Sequence, residues 1–188
     1  MADTSDFRNG LIIRYKGDPF VITEFQHVKP GKGGAFVRTT LKNLKTGRVL
    51  DNTFRSGESV DVIRVERRKY QFLYKESAGF VLMDNETYEQ LTVNEELFGD
   101  GSKYLKEGME VELLLDDAEQ IISAEIPIFV NLEVVDTEPG FKGDTANSAL
   151  KPAEVETGAT VNVPLFINIG DVLKIDTRTG GYVERVKN

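Results

Sequence analysis

His27 is the only histidine, and the 188 residues contain no cysteine. Zinc sites built on thiolate or imidazole, cysteine nucleophiles and most serine–histidine arrangements are thereby excluded or left isolated. What survives is carboxylate chemistry, hydroxyl–lysine pairs, or no catalysis at all. Asp116, Asp117 and Glu119 offer carboxylates for general acid–base work. Yet DDAEQ sits between two β-type runs and reads more simply as a solvated hairpin turn, with no partner acid elsewhere. DNETYEQLTVNE, from Asp84, imitates a calcium loop in having acids at its first, third and last positions. Glu89 stands where such a loop needs glycine, so the stretch reads as a turn leading into a strand.

A lysine makes the stronger candidate. HVKPGKGGAFVR, residues 27–38, sets Lys32 among Pro30, Gly31, Gly33 and Gly34, just after Lys29. Glycine and proline write a turn, and Phe36, Val37, Thr39 and Thr40 write a strand, so Lys32 is expected at a hairpin tip. A phosphate-binding loop is rejected, because no Ser or Thr follows Lys32 and a β run follows in place of a helix. The plain alternative is a solvated turn lysine. Against it stands one cation isolated on a glycine-lined tip, which suits a long side chain that must enter a narrow place. Two further stretches carry polar chemistry. EPGFKGDTAN, 138–147, is a loop able to offer backbone N–H groups and a hydroxyl to a polar partner, and DTRTGGYVERVKN at the carboxy terminus sets Tyr182 among Arg178, Arg185 and Lys187.

The elements that position these residues are β-strands. FVITEF, AFVRTTL, VDVIRV, QFLY, GFVLM, EVELLL, EIPIFVNLEVV, TVNVPLFI and DVLKI are short β-rich runs parted by Gly, Asp and Asn clusters, which predicts an all-β protein. One short helix is expected over NEELF, 94–98, capped by Asn94 and stopped by Gly99. The pattern G-x-x-V-x-[V/L] recurs at Gly57, Gly108 and Gly158, spacings of 51 and 50, and hints at three similar β modules. Composition changes at ERRKY, 66–70, and at Ile126–Ile128, dividing the chain into 1–65, 66–127 and 128–188. Modules this small are served by closed barrels, which remove exposed strand edges.

Charge follows the same steps. Residues 1–64 carry 11 Lys/Arg and 7 Asp/Glu, 65–128 carry 6 and 15, and 129–188 carry 6 and 9, within a net charge of −8. A basic first third can meet phosphate while the acidic middle is repelled by it. No apolar run approaches the roughly 20 residues of a membrane span, and MADTSDFRNG lacks the regions of a signal peptide, so a cytoplasmic protein is expected.

DFRNG, HVKPGKGGAFVR, ETYEQ, EPGFKGDTA, KPAEVETGATVNVPLFINIGD and DTRTGGYVERV, taken in order and end to end, closely resemble the bacterial elongation factor P family. The resemblance implies three consecutive β-barrels in an L that mimics a tRNA: an SH3-like, KOW-type domain over 1–65, then OB-like domains over 66–127 and 128–188. It implies binding to both ribosomal subunits beside the P-site peptidyl-tRNA. Lys32, flanked by Lys29, Pro30, Gly31, Gly33 and Gly34, would then enter the peptidyl transferase centre and relieve stalling at consecutive prolines. By the same likeness Gly143, Asp144 and Thr145 lie near the exit-site codon, and Tyr182 and Arg185 near RNA of the small subunit.

Electrostatics adds Arg8, Lys29, Arg38 and Lys42 as candidates for tRNA phosphates. No metal or cofactor is expected, and the ribosome remains the catalyst. A monomer is expected, and Lys32 is expected to carry a modification added by a separate enzyme. Two rivals from other classes are a general single-strand RNA-binding protein, disfavoured by the few aromatics beside basic residues in the acidic middle, and an enzyme using Asp116 or Asp117.

Overall fold

The computed structural model of the protein describes residues 2–140 and 149–186. Strands make up 56% and helix 7% of it, so the expected all-β class is what the chain adopts, in three separate sheets. Strands β1 (Ala2–Asp3), β2 (Ile12–Tyr15), β3 (Asp18–Val28), β4 (Phe36–Asn43), β5 (Val49–Arg55) and β6 (Ser59–Val62) form the first, in the order β1-β6-β2-β3-β4-β5. Its antiparallel strands close over Ile13, Phe20, Ile22, Val37, Leu41 and Phe54, with Phe7 edge-on to Phe54 at 5.3 Å. Burial of such side chains contributes roughly 1.5–3 kcal/mol each relative to exposure.

The second sheet holds β7 (Val65–Glu76), β8 (Gly79–Asp84), β9 (Gln90–Val93), β10 (Glu110–Asp116) and β11 (Ile121–Glu125), in the order β11-β10-β7-β8-β9. The third holds β12 (Phe129–Thr137), β13 (Leu150–Val155), β14 (Thr160–Pro164), β15 (Val172–Asp176) and β16 (Gly181–Arg185), in the order β14-β13-β12-β15-β16. By compactness the chain divides into two units, Met1–Arg68 with Leu113–Ala124, and Lys69–Glu112 with Glu125–Asn188. In the first, Leu114 and Ile122 pack with Ile12 and Ile63, and this cluster draws the Leu113–Ala124 hairpin into that unit.

The three G-x-x-V-x-[V/L] segments share one local structure. Gly57, Gly108 and Gly158 have φ of 79°, 85° and 83°, and β6, β10 and β14 each begin two residues later. A left-handed turn residue feeding an alternating strand is a conformation glycine adopts without steric cost. The expected short helix is a 3-10 turn starting at Glu95, and Asn94 caps it by accepting from the Glu96 N–H at 2.9 Å. Gly99 stops it, as expected. At φ 55° and ψ −146° Gly99 is non-helical, and a second, separate 3-10 turn follows it to Tyr104, whose side chain, 1% exposed, lies in the core under the third sheet. Among the described residues no helix is long and apolar enough to cross a membrane.

Candidate functional site

The β3–β4 hairpin builds the first site. Its pairing runs from Phe20 opposite Asn43 to Val28 opposite Phe36, with one irregularity between Ile22 and Glu24. β5 flanks β4 as far as Phe36 opposite Arg55, and the Ser56 N–H donates to the Ala35 carbonyl at 3.0 Å, so the base of the loop is held on its β4 side to the last residue. Phe25 and His27 meet edge-on at 5.7 Å on the stem. Beyond this braced stem, residues 29–34 are all exposed, with Lys32 at the tip. Neither Lys29 nor Lys32 has an ion-pair partner among the described residues.

Only one glycine of the tip is explained by the chain itself. Gly33 has φ +110°, a conformation L side chains rarely adopt. A Cβ added at Gly31 or Gly34 would meet nothing within 4 Å, and neither needs a positive φ. The fold therefore tolerates side chains at two positions where the sequence has none.

Strand alternation sorts the basic candidates. On β4, Val37, Thr39, Leu41 and Asn43 are buried, and Arg38 and Lys42 point to the opposite face. That face is mixed in charge: Arg38 lies over the Phe36 ring at 5.5 Å and lines a recess with Glu24, Gln26, Asp51 and Thr53. Arg8 is exposed elsewhere, in a recess with Asp6, Asp61 and Arg64. The structure thus joins Arg38 with Lys42 and leaves Arg8 apart from both.

In the third sheet Tyr182 stands opposite Ile175 and Arg185 opposite Leu173, because the register shifts between Lys174 and Ile175. Three residues apart would ordinarily mean opposite faces, and the extra residue of the bulge brings both to one face. They still engage different surroundings. Tyr182 borders a cleft with Lys103, Tyr104, Asn162 and Thr179; the Arg185 guanidinium lies over Phe166 at 5.5 Å and 3.5 Å from the Asp171 carboxylate. Exposed Phe166 lay inside the VPLFINIGD stretch, and its aromatic type beside a distant arginine gave no sign that the two would meet. Gly143, Asp144 and Thr145 lie outside the described residues.

The rival chemistry finds its groups used locally. Asp84 accepts from the Glu86 and Thr87 N–H groups at 2.7 and 3.1 Å, and Asp116 from the Ala118 and Gln120 N–H groups, both at 2.9 Å. Glu119, at φ 58°, pairs with Arg68 at 3.1 Å. These are side-chain-capped turns. Among the described residues no group of three or more His, Asp or Glu is placed to hold a metal ion.

Three family models match the chain in order: the elongation factor P KOW-like domain over residues 3–60, the elongation factor P OB domain over 65–123, and the elongation factor P C-terminal domain over 130–185. Elongation factor P of Amoebophilus asiaticus is 56% identical over 188 residues, covering 100% of this chain and 98% of that protein. The protein of the same name from Chloroflexus aggregans is 54% identical, covering 97% of each. Among solved structures, one described as eukaryotic translation initiation factor 5A from Methanococcus jannaschii superposes with a TM-score of 0.53 at 26% identity, over 65% of this chain and 92% of that one. A Naegleria fowleri initiation factor 5A family protein, 19% identical with a TM-score of 0.52 over 67% of this chain and 94% of that one, shares the fold.

Proposed function

Because this chain belongs to the bacterial elongation factor P family of translation factors, we propose that it binds the ribosome beside the P-site peptidyl-tRNA and stimulates peptide bond formation at consecutive prolines. Lys32 is the residue that reaches the reacting centre. The observation that carries this reading is the tip itself: a braced stem presents one unpaired lysine between glycines at 31 and 34 that neither backbone nor packing requires. Missing side chains that the fold would accept are accounted for by a partner that would clash with them, such as a crowded RNA channel.

The chemistry needs no acid or base from the factor. Proline is a poor acceptor, since its ring fixes the backbone and its amine is secondary. A side chain that orders the acceptor end of the P-site tRNA lowers the entropic part of the barrier, and the ribosome performs the transfer. The factor is accordingly non-enzymatic and works in the cytoplasm, where its partner is. Arg8, Lys29, Arg38 and Lys42 contact tRNA phosphates; Gly143, Asp144, Thr145, Tyr182 and Arg185 contact the small-subunit side. The matched segments, over 3–60, 65–123 and 130–185, support domains over 1–65, 66–127 and 128–188, and the factor acts as a monomer. A modifying enzyme extends Lys32, so intact mass of the native protein exceeds that of the bare sequence.

The deciding experiment is the rate of Pro-Pro-Pro synthesis in a reconstituted translation system with no factor, native protein or Lys32→Ala. Rescue by native protein and its loss in the variant are expected. Failure of native protein to rescue, together with tight sequence-indifferent binding to free RNA, would return the RNA-binding rival.

A further inference from the structure

Residues 165–171 join β14 to β15 and display two large apolar side chains, Phe166 at 56% and Ile169 at 61% exposure, on either side of Ile167, which is fully buried. The display is rigidly held. The Ile167 N–H donates to the Pro164 carbonyl at 3.1 Å, the Asn168 N–H to the Asp171 carboxylate at 2.8 Å, the Asn168 side-chain amide to the Phe166 carbonyl at 3.1 Å, and the Gly170 N–H to the Val134 carbonyl at 2.9 Å. A loop fixed this way by its own bonds holds an aromatic ring at the surface, where it is available to a partner.

We propose that Phe166, with the Arg185 guanidinium lying over it at 5.5 Å, is a stacking platform for one unpaired RNA base. The inference rests on the ribosome-binding reading and adds Phe166 to its contact residues. A ring with a guanidinium plane beside it extends a stack to a nucleobase, and the outer N–H groups of the guanidinium remain available to base edges or phosphate. Asp171 touches Arg185 only at 3.5 Å, so those donors are not all spent. The size favours a base: one ring and one branched side chain fall far short of the roughly 1,000 Å² that a stable protein interface buries.

The chain contains no tryptophan, so Phe166→Trp places a single indole at this position. Full-length variant would be mixed with ribosomes and its emission lifetime recorded, with binding followed separately by co-sedimentation. Co-sedimentation with a shortened lifetime is expected, since a stacked base quenches indole. Co-sedimentation with an unchanged lifetime, or with a blue shift and no quenching as on a protein surface, overturns the platform and leaves ribosome binding standing. Absence of co-sedimentation by native protein overturns both. Phe166→Leu, which keeps bulk and removes the ring, is expected to weaken ribosome binding about tenfold with an unchanged unfolding curve; native affinity in that variant would also overturn the platform.

Discussion

Gly31, Gly33 and Gly34 look alike in sequence and differ in physical role. Gly33 alone occupies a positive φ, so Gly33→Ala is expected to strain the loop by roughly 1–2 kcal/mol, seen as a lower midpoint or a relaxed tip conformation. Gly31→Leu and Gly34→Leu add side chains into open space and should leave stability within about 0.5 kcal/mol of native. Their Pro-Pro-Pro rescue should nevertheless be lost, because bulk beside Lys32 blocks entry to a narrow channel. Full rescue by either Leu variant would show that Lys32 works without deep insertion. Thermal melts and the translation assay on the same preparations separate the two effects.

At the scale of the elements, the 3-10 segment Glu95–Tyr104 has its last residue in the core under the third sheet, among Val130, Leu132, Val161 and Ile175. Gly180, at φ +70°, leaves room for the Tyr104 hydroxyl. Tyr104→Ala should therefore cost about 3–5 kcal/mol in urea unfolding although the residue belongs to a segment outside that sheet. A neighbouring contact is sensitive to pH. Burial raises the Glu156 carboxyl, but the hydrogen bond from Lys106 and the Glu133 N–H outweigh it, and the net effect is a carboxyl below the ordinary glutamate range. A depressed carboxyl stabilises the fold above its unfolded value, and that contribution is lost as pH falls through the folded value. Carboxylate chemical shifts should show Glu156 titrating low in native protein, and Lys106→Met should move it upward; an unmoved titration would leave the backbone bond as its sole cause.

For the whole molecule, a net charge of −8 must be reconciled with an RNA-rich partner. Local placement does this: residues 1–64 carry the surplus of Lys and Arg, and alternation along β4 turns Arg38 and Lys42 outward together. Ribosome affinity is expected to fall with added salt, and Arg38→Gln and Lys42→Gln should each reduce the slope of log affinity against log salt by about one. A slope unchanged in the double variant would remove these two residues from the phosphate contacts. Arg8→Gln provides an independent comparison, since Arg8 lies in a different recess.

Periodicity of two, turn residues at short intervals and the absence of helical patterning determined the all-β class from the sequence alone. The isolation of Lys32 between β-type runs likewise determined the hairpin and its tip, because these depend on local backbone preference. Tertiary structure decided what depends on contacts distant in the chain. It added a second 3-10 turn after Gly99, since Tyr104 gains a core formed by residues 130–175, and it set Arg185 over Phe166 across eighteen intervening positions. It also distinguished Gly33 from Gly31 and Gly34, because a φ angle and an empty volume are properties of a folded loop, whereas the letters are identical.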